Sequence, residues 1–434
     1  MPSWSEIAEK KGIRYFLIAF VDLFGSMRAK IVPAGAMDSV AKSGAGFAGF
    51  ATWFDMTPAD PDVLVMPEQD SLMQLPWKME VAWVTGDLMM ARRPVEQNPR
   101  QVLKRVIAQA AKLGYELKTG VECEYFLIAP DGQSISDDAD RQAKPCYDQQ
   151  ALMRRYDVVA EICDAMGSLG WKPYQNDHED ANGQFEMNWE FDTVLRTADK
   201  HAFFKFMVKS IAEKHGLRAT FMPKPFSNLT GSGCHVHVSL WSTTDGSCLF
   251  IDSSDELGLS KCAYQFIGGV MHSAEGLCAI SNPVVNSYKR INAPPTLSGA
   301  TWSPNAVTYA GNNRTHMIRI PDVGRFELRL PDGAANPYLM PAALMAAGLD
   351  GIAARRDPGK RLDINMYTEG YQAENGKKLP LNLLDALRAL EKSTVLKNAL
   401  GGQTVASYLK LKHDDWNAYA RHLTDWERQT TLDC

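Results

Sequence analysis

The chain has 434 residues, a length that accommodates two or three domains. Hydrophobic residues make up 45% and charged residues 22%, as in ordinary globular proteins, and no uncharged apolar run approaches membrane-spanning length. The net charge of −5 is mild and there is no basic block, which argues against nucleic acid as a partner. The charged N-terminus is unlike a signal peptide. The eight cysteines are scattered without a CxxC pair, which favours reduced thiols in a cytoplasmic protein over a disulfide framework or a zinc site.

The first 97 residues read mostly as strands. Residues 13–32 predict a hairpin with its turn at 22–25, and residues 81–84 predict a further strand. Asn98 is a good N-cap and Pro99 fits a first helical turn, so a helix begins here. We therefore place a domain boundary between residues 97 and 98, which gives domains of 1–97 and 98–434.

Strands and amphipathic helices alternate after this boundary, so the large remainder is predicted to be α+β. Periodicity predicts five further helices, over 147–169, 197–215, 337–354, 381–399 and 403–428.

Four stretches of this part carry acids, histidines or arginines on one strand face and apolar side chains on the other. Successive side chains of a strand point to opposite faces. The polar faces contain Glu122 and Glu124; Glu186 and Asn188; His235, His237 and Ser239; and Arg325, Glu327 and Arg329. Four such strands predict a curved sheet whose polar face lines a cavity.

The residue types on these polar faces indicate the chemistry of the site. Glutamates with one histidine select hard or borderline divalent cations such as Mg²⁺ or Mn²⁺, and Glu122 and Glu124 on one strand could serve two adjacent metals. Five arginines in the last third suit phosphate and carboxylate oxygens. They are Arg290, Arg314, Arg319, Arg325 and Arg329. These residues predict a metal-dependent enzyme that handles a phosphate and a carboxylate substrate.

Six motifs, in this order, resemble those of the glutamine synthetases over nearly the whole chain. They are GVECEYF at 120–126, HEDANGQFE at 178–186, GSGCHVHVS at 231–239, NSYKR at 286–290, NRTHMIR at 313–319, and RFELRLPD at 325–332 with NPYL at 336–339. Within this superfamily the chain most resembles the branch that contains γ-glutamylmethylamide synthetase.

The resemblance implies a small β-grasp N-terminal domain and a large catalytic domain, in which a curved antiparallel sheet forms a funnel-shaped active site. It also implies a homododecamer of two stacked hexameric rings, in which a neighbour's N-terminal domain completes each site. The implied reaction joins glutamate to an amine at the expense of ATP, through γ-glutamyl phosphate, with at least two Mg²⁺ or Mn²⁺ ions per site.

The same resemblance implies residue roles. One metal would be held by Glu124, Glu179 and Glu186, and the other by Glu122, His235 and Glu327. The nucleotide would meet His237, Ser239 and Arg325, while Arg314 and Arg319 would neutralise the transferred phosphate. Glutamate would be bound by Arg290 and Arg329, beside Gly231.

One departure from the family concerns the amine. Where bacterial glutamine synthetases carry F-D-G-S-S, whose Asp and second Ser help hold ammonium, an ungapped count gives Phe-Ala-Gly-Phe-Ala at 47–51. Ala48, Phe50 and Ala51 make this segment apolar. An alkylammonium has a methyl group to bury, so we expect an amine such as methylamine. One methyl group discriminates by only ~10–200-fold, so ammonia could remain a poor substrate.

A second departure concerns the base. The family's flap glutamate is missing, since residues 291–321 contain no Asp or Glu. An alkylammonium must lose a proton before it attacks, and Asp177 stands where the family has a histidine. Our hypothesis is that Asp177 is the base, with Glu186 as the second candidate; the alternative for Asp177 is a helix or turn cap.

Three other interpretations stay open at this point. The first is glutamine synthetase proper, and the second is a ligase for a larger amine. The third is a non-catalytic relative, although all six candidate metal ligands are present. The segment around Tyr367 weakly resembles the adenylylated loop of some bacterial relatives, and an unmodified loop tyrosine is the alternative.

Overall fold

The computed structural model describes residues 2–296, 298, 300–370 and 377–434. The elements of its N-terminal part are α1 (Trp4–Lys11), β1 (Tyr15–Val21), β2 (Met27–Pro33), α2 (Ala34–Ser43), β3 (Ala45–Phe47), β4 (Val63–Pro67), β5 (Met73–Gln74), β6 (Val81–Met90) and β7 (Arg93–Pro94). The strands form a seven-stranded sheet of order β2-β1-β6-β4-β3, with β5 and β7 paired to β6. The strands β1 and β6 run parallel.

The predicted hairpin at residues 13–32 is confirmed as β1 and β2, whose register pairs Tyr15 with Pro33 and Val21 with Met27. Asp22 closes the turn, because its carboxylate accepts hydrogen bonds from the Ser26 amide at 3.0 Å and the Arg28 guanidinium at 2.9 Å. The predicted turn is therefore held by hydrogen bonds to the Asp22 side chain.

The remainder contains two sheets and the larger helices. Its strands are β8 (Tyr115–Cys123), β9 (Tyr125–Ile128), β10 (Pro173–His178), β11 (Gln184–Trp189), β12 (Asp192–Thr193), β13 (Arg218–Thr220), β14 (Cys234–Ser242), β15 (Tyr309–Ala310), β16 (Ile318–Asp322) and β17 (Arg325–Leu328). Its helices are α3 (Pro99–Lys112), α4 (Gln149–Arg154), α5 (Tyr156–Ser168), α6 (Val194–Lys214), α7 (Lys261–Ser281), α8 (Val285–Ile291), α9 (Leu339–Ala353), α10 (Met366–Glu369), α11 (Leu383–Lys392), α12 (Thr394–Leu400), α13 (Gly402–Ala420) and α14 (Asp425–Thr431).

The two sheets meet at Glu124. The six-stranded sheet has the order β12-β8-β14-β17-β16-β15, and the four-stranded sheet has the order β10-β11-β9-β13. Glu124 separates β8 of the first sheet from β9 of the second, so the strand predicted over 121–127 is interrupted there. The change of sheet bends the polar face around one cavity. The predicted α+β fold with a curved, polar-lined sheet is confirmed, with the correction that the six-stranded sheet is mixed because β15 and β16 run parallel.

The predicted helices are confirmed with shifted or broken ends. The helix at 147–169 is two helices separated at Arg155, and the helix at 381–399 is two helices separated at Ser393. The helix at 403–428 ends at Ala420 before a separate short helix. The Asn98 side chain caps α3 by accepting from the Gln101 amide at 3.0 Å. The boundary between residues 97 and 98 stays a prediction, because a continuous core cluster includes residues from both sides of it. Within the described residues, no helix is long and apolar enough to cross a membrane.

Candidate active site

A pocket of about 240 Å³ lies where the two sheets meet. Its walls come from the polar faces of β8, β10, β11 and β14 and from the chain around Arg314, Arg319 and Arg329. The lining residues are Glu122, Glu124, Cys146, Tyr147, Gln175, Asp177, Glu179, Gln184, Glu186, Asn188, Thr230, His235, Trp302, Arg314, Arg319 and Arg329. We call it the acid pocket.

One half of the acid pocket holds carboxylates with no arginine on them. Potential ligand atoms of Asp177, Glu179 and Glu186 lie within 4.8 Å of one another, as do those of Glu124, Glu186 and His235. Burial, and then the charge of neighbouring carboxylates, raises the pKa of Glu179 and of Glu186 well above the ordinary glutamate value. Burial, followed by the charges of Glu122 and Glu124, raises the pKa of Asp177 to about 6. These acids repel one another and favour a bound cation.

The other half of the site holds carboxylates that already have cationic partners, and one of them, Glu327, is not among the described lining residues of the acid pocket. Potential ligand atoms of Glu122, His235 and Glu327 lie within 4.8 Å of one another. Arg319 Nη1 donates to Glu327 Oε2 at 2.7 Å, and Arg329 Nη1 donates to Glu327 Oε1. Burial by itself raises the pKa of Glu327, but the Arg329 charge, followed by the two histidines His235 and His237, outweighs it and holds the pKa at about 2.

Within the part of the chain that the structure describes, four buried polar atoms of pocket-lining residues lack a hydrogen-bond partner. They are Asp177 Oδ1, Gln184 Oε1, His235 Nε2 and Arg329 Nε. Buried polar groups are ordinarily paired, so a cluster of unpaired ones indicates a ligand. The donor set is mostly carboxylate oxygen with one imidazole, which fits Mg²⁺ or Mn²⁺.

Asp177 lies inside β10, in register with Glu186 of β11. This position removes the alternative that Asp177 caps a helix or a turn. Its unpaired oxygen and its place in the pocket leave it available to a substrate.

The two glycines of the segment at 231–233 allow close packing beneath the pocket. A Cβ on Gly231 would lie 2.4 Å from the Pro223 carbonyl oxygen, and one on Gly233 would lie 2.6 Å from His235 Nε2. Neither glycine is among the residues that line the acid pocket in the described chain. Gly231 instead accepts a hydrogen bond on its carbonyl oxygen from Gln184 at 3.2 Å.

A larger cleft of about 590 Å³ adjoins the acid pocket, and Glu122 and Asn188 line both. The predicted nucleotide residues His237, Ser239 and Arg325 line this cleft. Its aromatic surface comes from Tyr174, Trp189, Phe191 and Trp241. Lys118 Nζ lies 4.0 Å from the centre of the Trp241 ring, so the cleft combines apolar and cationic surfaces.

Arg290 lies outside the acid pocket among the described lining residues. It is 2% exposed, and its guanidinium donates to the Leu330 carbonyl at 3.1 Å and the Arg329 carbonyl at 3.3 Å. In this chain it therefore fixes the backbone that carries Arg329.

The predicted amine segment also lies apart from the pocket of its own chain. Ala48, Phe50 and Ala51 are exposed in and beside a short 3₁₀ turn of the N-terminal sheet, and none lines the acid pocket in the part of the chain described. Phe50 is 49% exposed and Trp53 is 45% exposed, whereas Phe54 is buried. The exposed side chains are available to another subunit.

Several lining residues were not foreseen from the sequence, above all Tyr147 and Trp302. Neither belongs to the polar face of a strand: Tyr147 lies in a turn and Trp302 in irregular chain, with positive φ of 64° and 54° respectively. Behind β8 and β14, Cys123, His201 and Cys234 form a buried group of three potential ligands. Its histidine comes from α6, which strand alternation could not place there. All eight cysteines are free thiols. The Tyr367 hydroxyl is buried, which argues against an accessible modification site.

The fold and the pocket agree with comparisons to known proteins. A family model for the glutamine synthetase catalytic domain matches residues 96–431. The chain is 62% identical to a glutamine synthetase of Rhizobium meliloti over 429 residues, which cover 99% of each chain. It is 42% identical to the glutamate–methylamine ligase of Methyloversatilis universalis over 438 residues, which cover 99% of this chain and 98% of the relative. A solved GmaS/ADP complex has a TM-score of 0.97 at 62% identity, with both chains fully covered.

These likenesses extend over the whole chain and over the polar strands that build the pocket. The chain therefore belongs to the glutamine synthetase family. It is an enzyme, and more particularly a ligase of this family.

Proposed function

We propose that this enzyme joins L-glutamate to methylamine, using ATP, to give γ-glutamylmethylamide, ADP and phosphate. The observation that carries the proposal is the set of four unpaired buried polar atoms in the acid pocket, next to an aromatic cleft. The likeness to a relative named glutamate–methylamine ligase and to solved GmaS structures supports the choice of amine.

The nucleotide occupies the aromatic cleft, with His237, Ser239 and Arg325 beside it. Glutamate lies in the acid pocket against Arg329, whose Nε is unpaired, and Arg290 holds the backbone of Arg329 in place. The two binding sites adjoin through Glu122 and Asn188, so the γ-phosphate reaches the side-chain carboxylate of glutamate.

A carboxylate oxygen of glutamate attacks the γ-phosphorus, the bond to the ADP oxygen breaks, and γ-glutamyl phosphate forms. Arg314 and Arg319, both in the pocket wall, stabilise the negative charge of the transferred group. Glu122, His235 and Glu327 lie close enough together to hold one divalent ion. Glu186 would hold a second ion, since it is grouped with Glu124 and His235 on one side and with Asp177 and Glu179 on the other. Such ions would neutralise the charge of the transferred phosphate.

The amine then attacks the acyl carbon, and phosphate leaves. An alkylammonium is protonated at neutral pH and must first give up a proton. Asp177 accepts it, because its Oδ1 is unpaired in the pocket; Glu186, opposite in register, is the second candidate.

The proposal includes a homododecamer in which the exposed apolar segment with Ala48, Phe50 and Ala51 covers the amine site of a neighbouring subunit. The free thiols support a reducing, cytoplasmic location.

Glutamine synthetase activity is the second candidate, favoured by the name of the Rhizobium relative at 62% identity. The deciding measurement is phosphate release from ATP with glutamate and Mg²⁺, using methylammonium, ammonium, ethylammonium or no amine. We expect the highest kcat/KM with methylammonium. A preference for ammonium would replace the proposal by glutamine synthetase, and a preference for ethylammonium would assign a larger amine. Stable ATP with every amine would overturn both candidate functions.

A further inference from the structure

Tyr147 and Trp302 supply the aromatic surface of an otherwise polar acid pocket. Among its described lining residues, they are the only aromatic side chains. Aromatic faces attract alkylammonium ions through the ring quadrupole and also cover the alkyl group. Ammonium and water gain less from such a surface, because they have no carbon to bury.

Both residues sit in the left-handed backbone region, at φ of 64° for Tyr147 and 54° for Trp302. This region is unfavourable for bulky side chains and is populated mainly where the surroundings or a function require it. Core packing does not explain Tyr147, since the residue is 68% exposed. The strained backbone of the two residues therefore indicates that they have a function in the pocket.

Both residues are tied to the same motif, at 178–180. The Tyr147 amide donates to the His178 carbonyl at 2.8 Å. The Trp302 indole nitrogen donates to Asp180 Oδ2 at 2.6 Å. Asp177 and Glu179, on either side of His178, line the same pocket as the two rings. The rings and the candidate base are thus positioned from one short stretch of chain.

The Asp180 carboxylate holds the Trp302 side chain in place. Asp180 is 6% exposed, and its Oδ2 also accepts from the Thr230 hydroxyl at 2.9 Å and the Ser298 hydroxyl at 2.7 Å. The stretch from 291 to 321 contains no acid of its own, so the carboxylate that holds Trp302 comes from the catalytic motif.

We propose that Tyr147 and Trp302 form the wall that binds the alkyl group of the amine, and that Asp180 is the positioning residue that holds Trp302 in this wall. The inference rests on the proposed function and deepens it, since it assigns amine selectivity to residues of the same chain as the metal ligands. The apolar segment at 47–51 of a neighbouring subunit would then extend this wall.

The test compares kcat/KM for methylammonium and ammonium in Trp302→Ala, Tyr147→Ala and Asp180→Ala. We expect each variant to lower the methylammonium-to-ammonium ratio by about tenfold, the lower range for one methyl contact in a pocket. Trp302→Phe and Tyr147→Phe keep an aromatic ring and should recover part of the ratio. Tyr156→Ala, an exposed aromatic on α5, serves as the matched control and should leave the ratio unchanged.

A purely structural role would lower turnover with both amines equally, and that outcome overturns the proposal. An altered subunit assembly with an unchanged ratio overturns it as well. If wild-type enzyme prefers ammonium, the proposed function fails, but the wall is still tested by the inhibition constant of methylammonium against ammonium turnover. This constant should rise about tenfold in the alanine variants; an unchanged constant would reject the wall.

Discussion

Two sets of carboxylates in and beside the acid pocket lie in opposite electrostatic surroundings. Burial, together with the charge of neighbouring acids, raises the pKa of Asp177, Glu179 and Glu186. Glu327 is more deeply buried than Asp177 and Glu179 but contacts two arginines, so its pKa falls to about 2. Burial is common to both halves, and the partner decides the sign of the shift. The compensated half stabilises the fold, whereas the uncompensated half is poised to take a cation or a proton.

Asp177→Asn tests the uncompensated half most directly. Asparagine keeps the shape but cannot accept the proton, so amine-dependent turnover should fall by about 10²–10⁴-fold, the usual contribution of general base catalysis. The measurement is γ-glutamyl amide formation at saturating ATP and glutamate.

Glu186→Gln distinguishes the second candidate for the base in the same assay. Metal saturation must be checked in both variants, since Glu186 is also a candidate ligand. Turnover of Asp177→Asn near the wild-type rate would assign the proton transfer to another group.

Arg329→Met tests the compensated half. It leaves Glu327 buried with one of its two arginines lost, and breaking a buried ion pair destabilises by about 3–5 kcal/mol. We expect a clear loss of thermal stability, measured by calorimetry without divalent ions. Arg361→Met removes exposed ion pairs with Glu256 and Asp363 and should change stability by only about 0–1 kcal/mol. Equal losses in the two variants would contradict the contrast between the halves.

Much of this contrast could be predicted from the sequence. Strand alternation placed Glu122, Glu186, His235 and Glu327 on one polar face, because the period of two is fixed by strand geometry. It could not show that Glu327 has arginine partners on both oxygens, since Arg319 comes from the neighbouring strand β16.

Other features depend on backbone conformation and on tertiary position. The break at Glu124 arises because the chain changes sheets, which alternation within one strand does not reveal. Tyr147 and Trp302 lie outside helices and strands at positions with positive φ, which no periodic pattern marks. Arg290 carried the right charge for a carboxylate, but its guanidinium is engaged by carbonyl groups at the end of β17.

Mg²⁺ binding tests whether the uncompensated half takes a cation. A ligand that binds only the folded state stabilises it by about 2.7 kcal/mol at 100 times its dissociation constant. We expect Mg²⁺ to raise the melting temperature of the wild type, and Glu179→Gln to lose most of this rise. Glu391→Gln, on an exposed face of α11, is the control and should respond as the wild type does. If Mg²⁺ raised the melting temperature of Glu179→Gln as much as that of the wild type, the cation would bind at a site that does not include Glu179.

The smallest expected effect concerns stability without divalent ions. Because the folded-state pKa of Glu186 is raised, the folded protein binds more protons than the unfolded chain, and stability falls as the pH rises above the ordinary glutamate value of about 4.3. Glu186→Gln removes this penalty. The free energy of unfolding of the variant should exceed that of the wild type at neutral pH by on the order of 1 kcal/mol, and the two values should converge below about pH 4.

Glu327→Gln should have the opposite effect and be less stable than the wild type at neutral pH. The lowered pKa of Glu327 contributes stability above the ordinary value, which is lost as the pH falls toward about 2. The measurement is the melting temperature of both variants and of the wild type across this pH range in the presence of a chelator. A change of melting temperature of the same sign in both variants at neutral pH would contradict the proposed difference between the two halves.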